Sequence, residues 1–261
     1  MLHFFKFRQD LLDPAPARDV YEKRKPGRGW PEECPPIRAA NGFGFDLLAN
    51  FDLVLEQGKS GWRARPSRVV ESDWAWAAGG EGEGQRLTQE YAWPWERGQR
   101  IPHPIDDHVY AAVKHQMKVS TFLYLRTDPN ELLLFTDVPN RDRRPWRALS
   151  ALVETDWYPA SYPWHVVLEL DPSAKRITIA QGEPLARAMV VRRDTYFARG
   201  MTPDEFDAFF ARGQAWLATH GRAPEEEKRG KRRGKGEGEA TLDITRTYGR
   251  QQVRSRFVVL P

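Results

Sequence analysis

The chain has 261 residues, a formal charge of +4 at neutral pH and 40% hydrophobic residues, and its ten Trp and thirteen Phe supply the area for a sizeable core. The positive charge is interleaved with 36 acidic residues rather than gathered on one stretch, which disfavours nucleic acid as a partner. One cysteine, Cys34, excludes an intramolecular disulfide and a cysteine-based metal cluster. No apolar run reaches membrane-spanning length and no signal sequence opens the chain, so a cytoplasmic protein is expected.

In chain order, residues 1–8 (M-L-H-F-F-K-F-R) read as an opening strand, broken by D-P-A-P, and residues 18–25 as a short helical turn. Cys34, in E-E-C-P-P-I, reads as a small buried hydrophobe within an extended approach, because residues before proline avoid the helical region. Residues 37–55 carry an Asn41-Gly42 turn signal. Alternation of Phe43, Phe45 and Leu47, then of Phe51, Leu53 and Leu55, predicts two short strands. Residues 62–76 are strand-rich, residues 79–84 (G-G-E-G-E-G) form a surface loop, and Y-A-W-P-W at 91–95 covers the core or a pocket. Residues 118–125 and 131–137 read as strands joined through Asp128-Pro129-Asn130 as a hairpin. Further strands are expected at 149–156, 164–170, 176–179 and 185–191, with D-P-S at 171–173 and G-E-P at 182–184 as turns.

Short strands at this spacing predict a mainly β fold, a sandwich or barrel, with one packed C-terminal helix. That helix is placed at 203–220, where Thr202 caps it, Pro203 takes the first helical position and Glu205 completes a capping box. Phe206, Phe209, Phe210, Gly213, Trp216 and Leu217 share one face, read as core. Residues 1–222 are therefore expected to form one β-rich domain. Residues 223–239 (A-P-E-E-E-K-R-G-K-R-R-G-K-G-E-G-E) are expected to be a disordered charged linker, and residues 240–261 a strand pair or arm.

The candidate chemistry centres on Glu154-Thr155-Asp156-Trp157. Two carboxylates two apart on a strand share a face, and if that face is buried they need a ligand, a metal or arginine partners. Arg141, Arg143, Arg144 and Arg147 lie just upstream, so a structural ion-pair network is the plain alternative. A second constellation is H-P-I-D-D-H at 103–108. A site with two histidines and one carboxylate for Fe(II) would draw on His108, His165 and either Glu154 or Asp156.

Two resemblances follow from these motifs. Gly44-Phe45-Asp46-Leu47, Leu152-Val153-Glu154-Thr155-Asp156-Trp157 and Gly182-Glu183-Pro184-Leu185-Ala186 are similar, in order, to motifs of the dUTPase and dCTP-deaminase β-clip superfamily. This resemblance implies a β-clip fold, homo-oligomers, a nucleotide ligand, Glu154 as the water-activating carboxylate and Trp157 as the base-stacking residue. It also implies Mg²⁺ held mainly by substrate phosphates. The chain departs from the pattern where Pro139-Asn140-Arg141 stands in place of P-R-S and Tyr158-Pro159 in place of R-G. Cys34 to Asn41, Val138-Pro139-Asn140, Val153 to Trp157 and Gly182-Glu183-Pro184 also resemble an uncharacterised bacterial family. That likeness implies a recurring arrangement of Asn41, Asn140, Glu154, Asp156 and Trp157.

The expectation is thus a pocket-bearing small-molecule-binding protein or enzyme of nucleotide-hydrolase type. Glu154 and Asp156 are its catalytic candidates, and Asn41, Asp46, Asn140 and Trp157 its ligand-binding candidates. An Fe(II)-dependent oxygenase using His108 and His165, and a non-enzymatic assembly protein with exposed tryptophans, are the alternatives.

Overall fold

The computed structural model describes residues 1–18, 34–59, 61–76, 84–97, 113–141, 143–158 and 162–219. Residues 1–18 and 41–193 belong to one compact unit, and residues 34–40 and 194–219 to another. The helical turn expected at 18–25, most of the glycine loop, the 103–108 histidine segment, the 223–239 linker and the 240–261 arm lie outside the described residues.

The first unit is mainly β, and its strand pairs are antiparallel. One sheet runs in the order β1 (Leu2–Lys6), β9 (Gln116–Thr127), β13 (Trp164–Leu170), β11 (Trp146–Ala148), with β8 (Ala92–Pro94) also paired to β9. A second runs β12 (Ala151–Val153), β10 (Glu131–Thr136), β15 (Pro184–Arg192), β3 (Phe45–Leu48), β2 (Ala15–Pro16). β14 (Arg176–Ile179), β4 (Leu53–Gly58) and β5 (Gly61–Arg65) form a third, and β6 (Val69–Trp76) pairs with β7 (Gln85–Glu90). Their inward side chains share one core that includes Phe7, Leu47, Leu55, Trp62, Met117, Val119, Leu133 and Leu168.

β9 organises this unit, as its sequence Q-M-K-V-S-T-F-L-Y-L-R-T allows. β-Branched and aromatic residues suit a pleated surface packed on both sides. A bulge interrupts it: Trp164 faces Leu123 but His165 faces Ser120, and Phe122 takes φ 57°. That backbone is costly for a bulky residue. It is over-determined by packing, because the buried Phe122 ring stacks on Tyr91 at 5.7 Å and meets Phe7 and Phe51. Alternation brings Met117, Val119, Leu123 and Leu125 into the core, the bulge adds Phe122 to them, and Lys118, Ser120, Tyr124 and Arg126 take the alternate positions.

Several expectations are corrected here. β9 and β10 do not form a hairpin: each pairs with other strands, in different sheets. Asp128 to Glu131 is a corner between sheets, closed by Glu131 N donating to Asp128 O at 3.1 Å and by Asn130 at φ 64°. The turn at 171–173 likewise leads from one sheet to another, with Asp171 Oδ1 accepting from Ser173 N at 2.9 Å and Ser173 Oγ at 2.7 Å. The strand expected across 149–156 is only β12, and residues 155–157 form a turn.

Residues 35–41 are a helix, α1 (Pro35–Asn41), rather than part of an extended segment. The fixed φ of proline suits a first helical turn, where no N–H is needed. Cys34 is exposed rather than buried. α2 (Pro203–Thr219) lies where its capping box placed it, with Glu205 N donating to Thr202 Oγ1 at 3.3 Å and Thr202 N donating to Glu205 Oε2 at 2.8 Å. Phe206, Phe209 and Phe210, expected as core, are each just over half exposed, and one turn apart the rings of Phe206 and Phe210 cover each other at 5.9 Å.

Candidate functional site

The residues singled out in the sequence fall into two groups. The first surrounds Arg187, a charged residue in the middle of β15 that is 1% exposed. Its Nε donates to Asp46 Oδ1 at 2.7 Å, and its Nη1 donates to the carbonyls of Asn41 and Phe43, each at 2.9 Å. Asn140, at φ 55°, donates its amide to Asn41 Oδ1 at 3.0 Å. Gly44 is required between them, because at φ 97° a Cβ would stand 2.5 Å from Ala188 O. Asn41, Asp46 and Asn140 thus join three chain segments around one buried guanidinium.

The second group lies beyond the far end of β15, where Arg193 follows six residues after Arg187, about 20 Å along an extended strand. Arg193 Nη1 donates to Glu154 Oε1 at 2.9 Å, and its Nη2 and Nε grip Asp156 at 2.7 and 3.2 Å. The Trp157 indole N–H donates to the other Glu154 oxygen. Hydrogen bonds from Arg193, then from Trp157, hold the Glu154 carboxyl below its ordinary range, and Arg193 does the same for Asp156. The expected arginine partners act elsewhere: Arg144 on Asp137 at 2.7 Å, Arg147 on Glu169 at 2.6 Å, and Arg141 on the Pro184 carbonyl at 3.2 Å. The two carboxylates meet through a turn and a distant arginine, not through the shared face of a strand.

Tyr158, the residue after this turn, helps to line a groove of about 320 Å³ together with His3, Phe4, Phe5, Tyr124, Leu125 and Arg126. The register of β1 on β9 sets His3 opposite Arg126 and Phe5 opposite Tyr124, so these four share a face. The turn is tied down by Thr127 N donating to Thr155 O at 3.2 Å and by the paired hydroxyls of Thr127 and Thr155 at 2.8 Å. Trp74 packs edge-on against Phe5 at 6.3 Å and lies 6.0 Å from Tyr124. The Tyr124 hydroxyl is buried without a hydrogen-bond partner among the described residues, and burial pushes its pKa up. Arg126 is exposed and makes no ion pair among the described residues. His3 is committed to Asp128, at 2.7 Å.

Of the metal candidates, His108 lies outside the described residues. His165 sits among Trp93, Tyr162 and Trp164 at ring distances of 5.5 to 6.0 Å, and burial pushes it down to about 4. Among the described residues no three His, Cys, Asp or Glu side chains gather as a metal centre. Reading the sequence alone missed Phe5, Tyr124, Arg126, Tyr158, Arg187 and Arg193. Arg187 was legible in principle, as a lone charge inside the apolar run L-A-R-A-M-V-V; the groove residues were not, because their meeting depends on the β1–β9 register.

No family model matches the chain, and no curated protein matches it. Solved structures with a loose likeness include the EIAV dUTPase, at 8% identity and a TM-score of 0.32, covering 78% of this chain and 98% of the other. The dUTPase of S. aureus phage phi11 has a TM-score of 0.35 at 8% identity, covering 77% of this chain and 96% of the other. A Staphylococcus bacteriophage 80alpha dUTPase has a TM-score of 0.34 at 9% identity, covering 77% and 96%. A likeness this loose assigns no activity and no residue role to this chain. Among the described residues no helix is long and apolar enough to cross a membrane.

Proposed function

We propose that the groove lined by β1, β9 and Tyr158 binds a small planar molecule carrying an anionic group. The observation that carries this reading is the buried Tyr124 hydroxyl, without a partner among the described residues, in a groove walled by rings. A buried polar group left unpaired costs about 1–3 kcal/mol, which a ligand's hydrogen-bonding group would recover. Phe5 and Tyr158 offer faces and edges to a planar body, and the uncommitted Arg126 is the natural partner for its anion. A nucleotide, the ligand implied by the sequence resemblance, belongs to this class.

The geometry favours binding over hydrolysis by Glu154. A general base works best with a pKa near the operating pH and a free lone pair. Glu154 instead has one oxygen on Arg193 and the other on Trp157, and its pKa is lowered. A protein-held Mg²⁺ fits no better, because the positive charge beside Glu154 and Asp156 is already Arg193.

Calorimetric titration with a panel of nucleotides and aromatic carboxylates tests the proposal. Binding is expected, weakened about tenfold by Tyr124→Phe and by at least as much by Arg126→Ala, the worth of one hydrogen bond and one ionic contact. Binding that neither substitution changes, or no binding across the panel, would overturn it.

A further inference from the structure

Lys118 stands apart from the groove. It lies on β9 before the bulge, on the face away from the core, yet it is 7% exposed. Its cross-strand neighbours are Trp93 on β8 and Val167 on β13, with His165 on the diagonal beside Ser120. Its ammonium lies 5.8 Å from the centre of the Trp95 ring and has no carboxylate or hydrogen-bond acceptor among the described residues. Glu169, further along β13, is taken by Arg147. A buried ammonium without a counter-charge is costly, and the usual response is loss of the proton.

His165 completes the environment. Its ring is stacked on Tyr162 at 5.6 Å and set edge-on to Trp93 at 5.5 Å. Burial, then the charge of Lys118, pushes it well below its ordinary range, so the imidazole is neutral at physiological pH. Burial lowers the Lys118 pKa, and among the described residues no acid acts against it. A desolvated amine against aromatic walls is how a lysine becomes a nucleophile toward carbonyl compounds.

We infer that Lys118 is a reactive amine that captures a small aromatic aldehyde or ketone as an imine against the rings of Trp93, Trp95 and Tyr162. The neutral Nζ adds to the carbonyl carbon and forms a carbinolamine. The nitrogen then loses its protons, the former carbonyl oxygen leaves as water, and a C=N bond remains, with no change of oxidation state. His165, as a neutral imidazole next to the amine, is the positioned group that can carry a proton between nitrogen and oxygen.

The test uses the full chain, benzaldehyde and cyanoborohydride, which fixes any imine as a secondary amine, with peptide mass spectrometry at pH 7. Lys118 is expected to be labelled severalfold faster than the exposed Lys59, since a lowered amine pKa raises the neutral fraction that reacts. Lys118→Met should remove that label and leave the labelling of Lys59 unchanged. Labelling of Lys118 no faster than Lys59, including complete protection, would overturn the inference, and this comparison needs only the wild-type chain.

Discussion

Asp46→Ala offers the sharpest test of how this fold is held together. The substitution removes the carboxylate 2.7 Å from Arg187 Nε, on a guanidinium that is 1% exposed. The carbonyls of Asn41 and Phe43 keep their two hydrogen bonds to it but bring no counter-charge. Breaking one side of a buried pair costs about 3–5 kcal/mol, because the survivor's desolvation is no longer offset. At about 2–4 °C per kcal/mol for a unit of this size, the melting temperature should fall by about 6–20 °C. The double variant Asp46→Ala/Arg187→Met removes both charges of the buried pair and should cost less than Asp46→Ala alone. Urea and thermal denaturation of the three proteins decide the matter. An Asp46→Ala variant within a degree of wild type, or a double variant less stable than Asp46→Ala alone, would refute the view that a stranded charge is the dominant cost.

Three further outcomes are expected. His165 is pushed from 6.5 down to about 4 in the folded chain, so the unfolded chain binds the extra proton between those values. The stability it contributes is present above pH 6.5 and is lost as pH falls toward 4, by up to about 3 kcal/mol. Urea midpoints of wild type and His165→Phe at pH 7 and pH 4.5 should diverge by that route, and parallel midpoints would contradict it. Glu154 and Asp156 have lowered pKa values in the folded state, so what the Arg193 clamp contributes is present above the ordinary carboxylate range and lost as pH falls through the folded values. Arg193→Gln should flatten that acid limb of the stability profile while changing Tm at neutral pH far less than Asp46→Ala does. Thr202→Ala removes the cap at Glu205 N and should destabilise α2 by about 1 kcal/mol, seen as lower helical ellipticity; Thr202→Ser should restore it.

What was legible in the sequence is what local chemistry decides. The composition of β9 and β13, the turn residues between strands and the Thr202–Glu205 capping box each act within a few residues, and they place strands and helix where the structure has them. The Asp128-Pro129-Asn130 turn shows the limit. Turn chemistry reverses a chain, but whether the two strands then pair depends on partners far away, and here β1 and β13 claim β9 while β12 and β15 claim β10. The same limit governs the site. Glu154, Asp156 and Trp157 do converge, yet their cation is Arg193, brought in by the antiparallel register of β10 on β15, and not the nearby arginines of the 141–147 loop. Asn41 and Asp46 were singled out as lining a pocket with them, and the length of β15 sets those residues about 20 Å away around Arg187. Tyr124 carried no signal, because an alternating strand residue gives no hint that its hydroxyl will be buried without a partner among the described residues.

The most direct test of the groove as the binding site is a backbone amide spectrum of the labelled chain, titrated with the tightest-binding planar anion of the panel. Shifts are expected to centre on Phe5, Tyr124, Arg126 and Tyr158 and to leave Asn41, Asp46 and Asn140 still. Shifts centred on the Arg187 cluster instead, with the groove residues unmoved, would contradict the account.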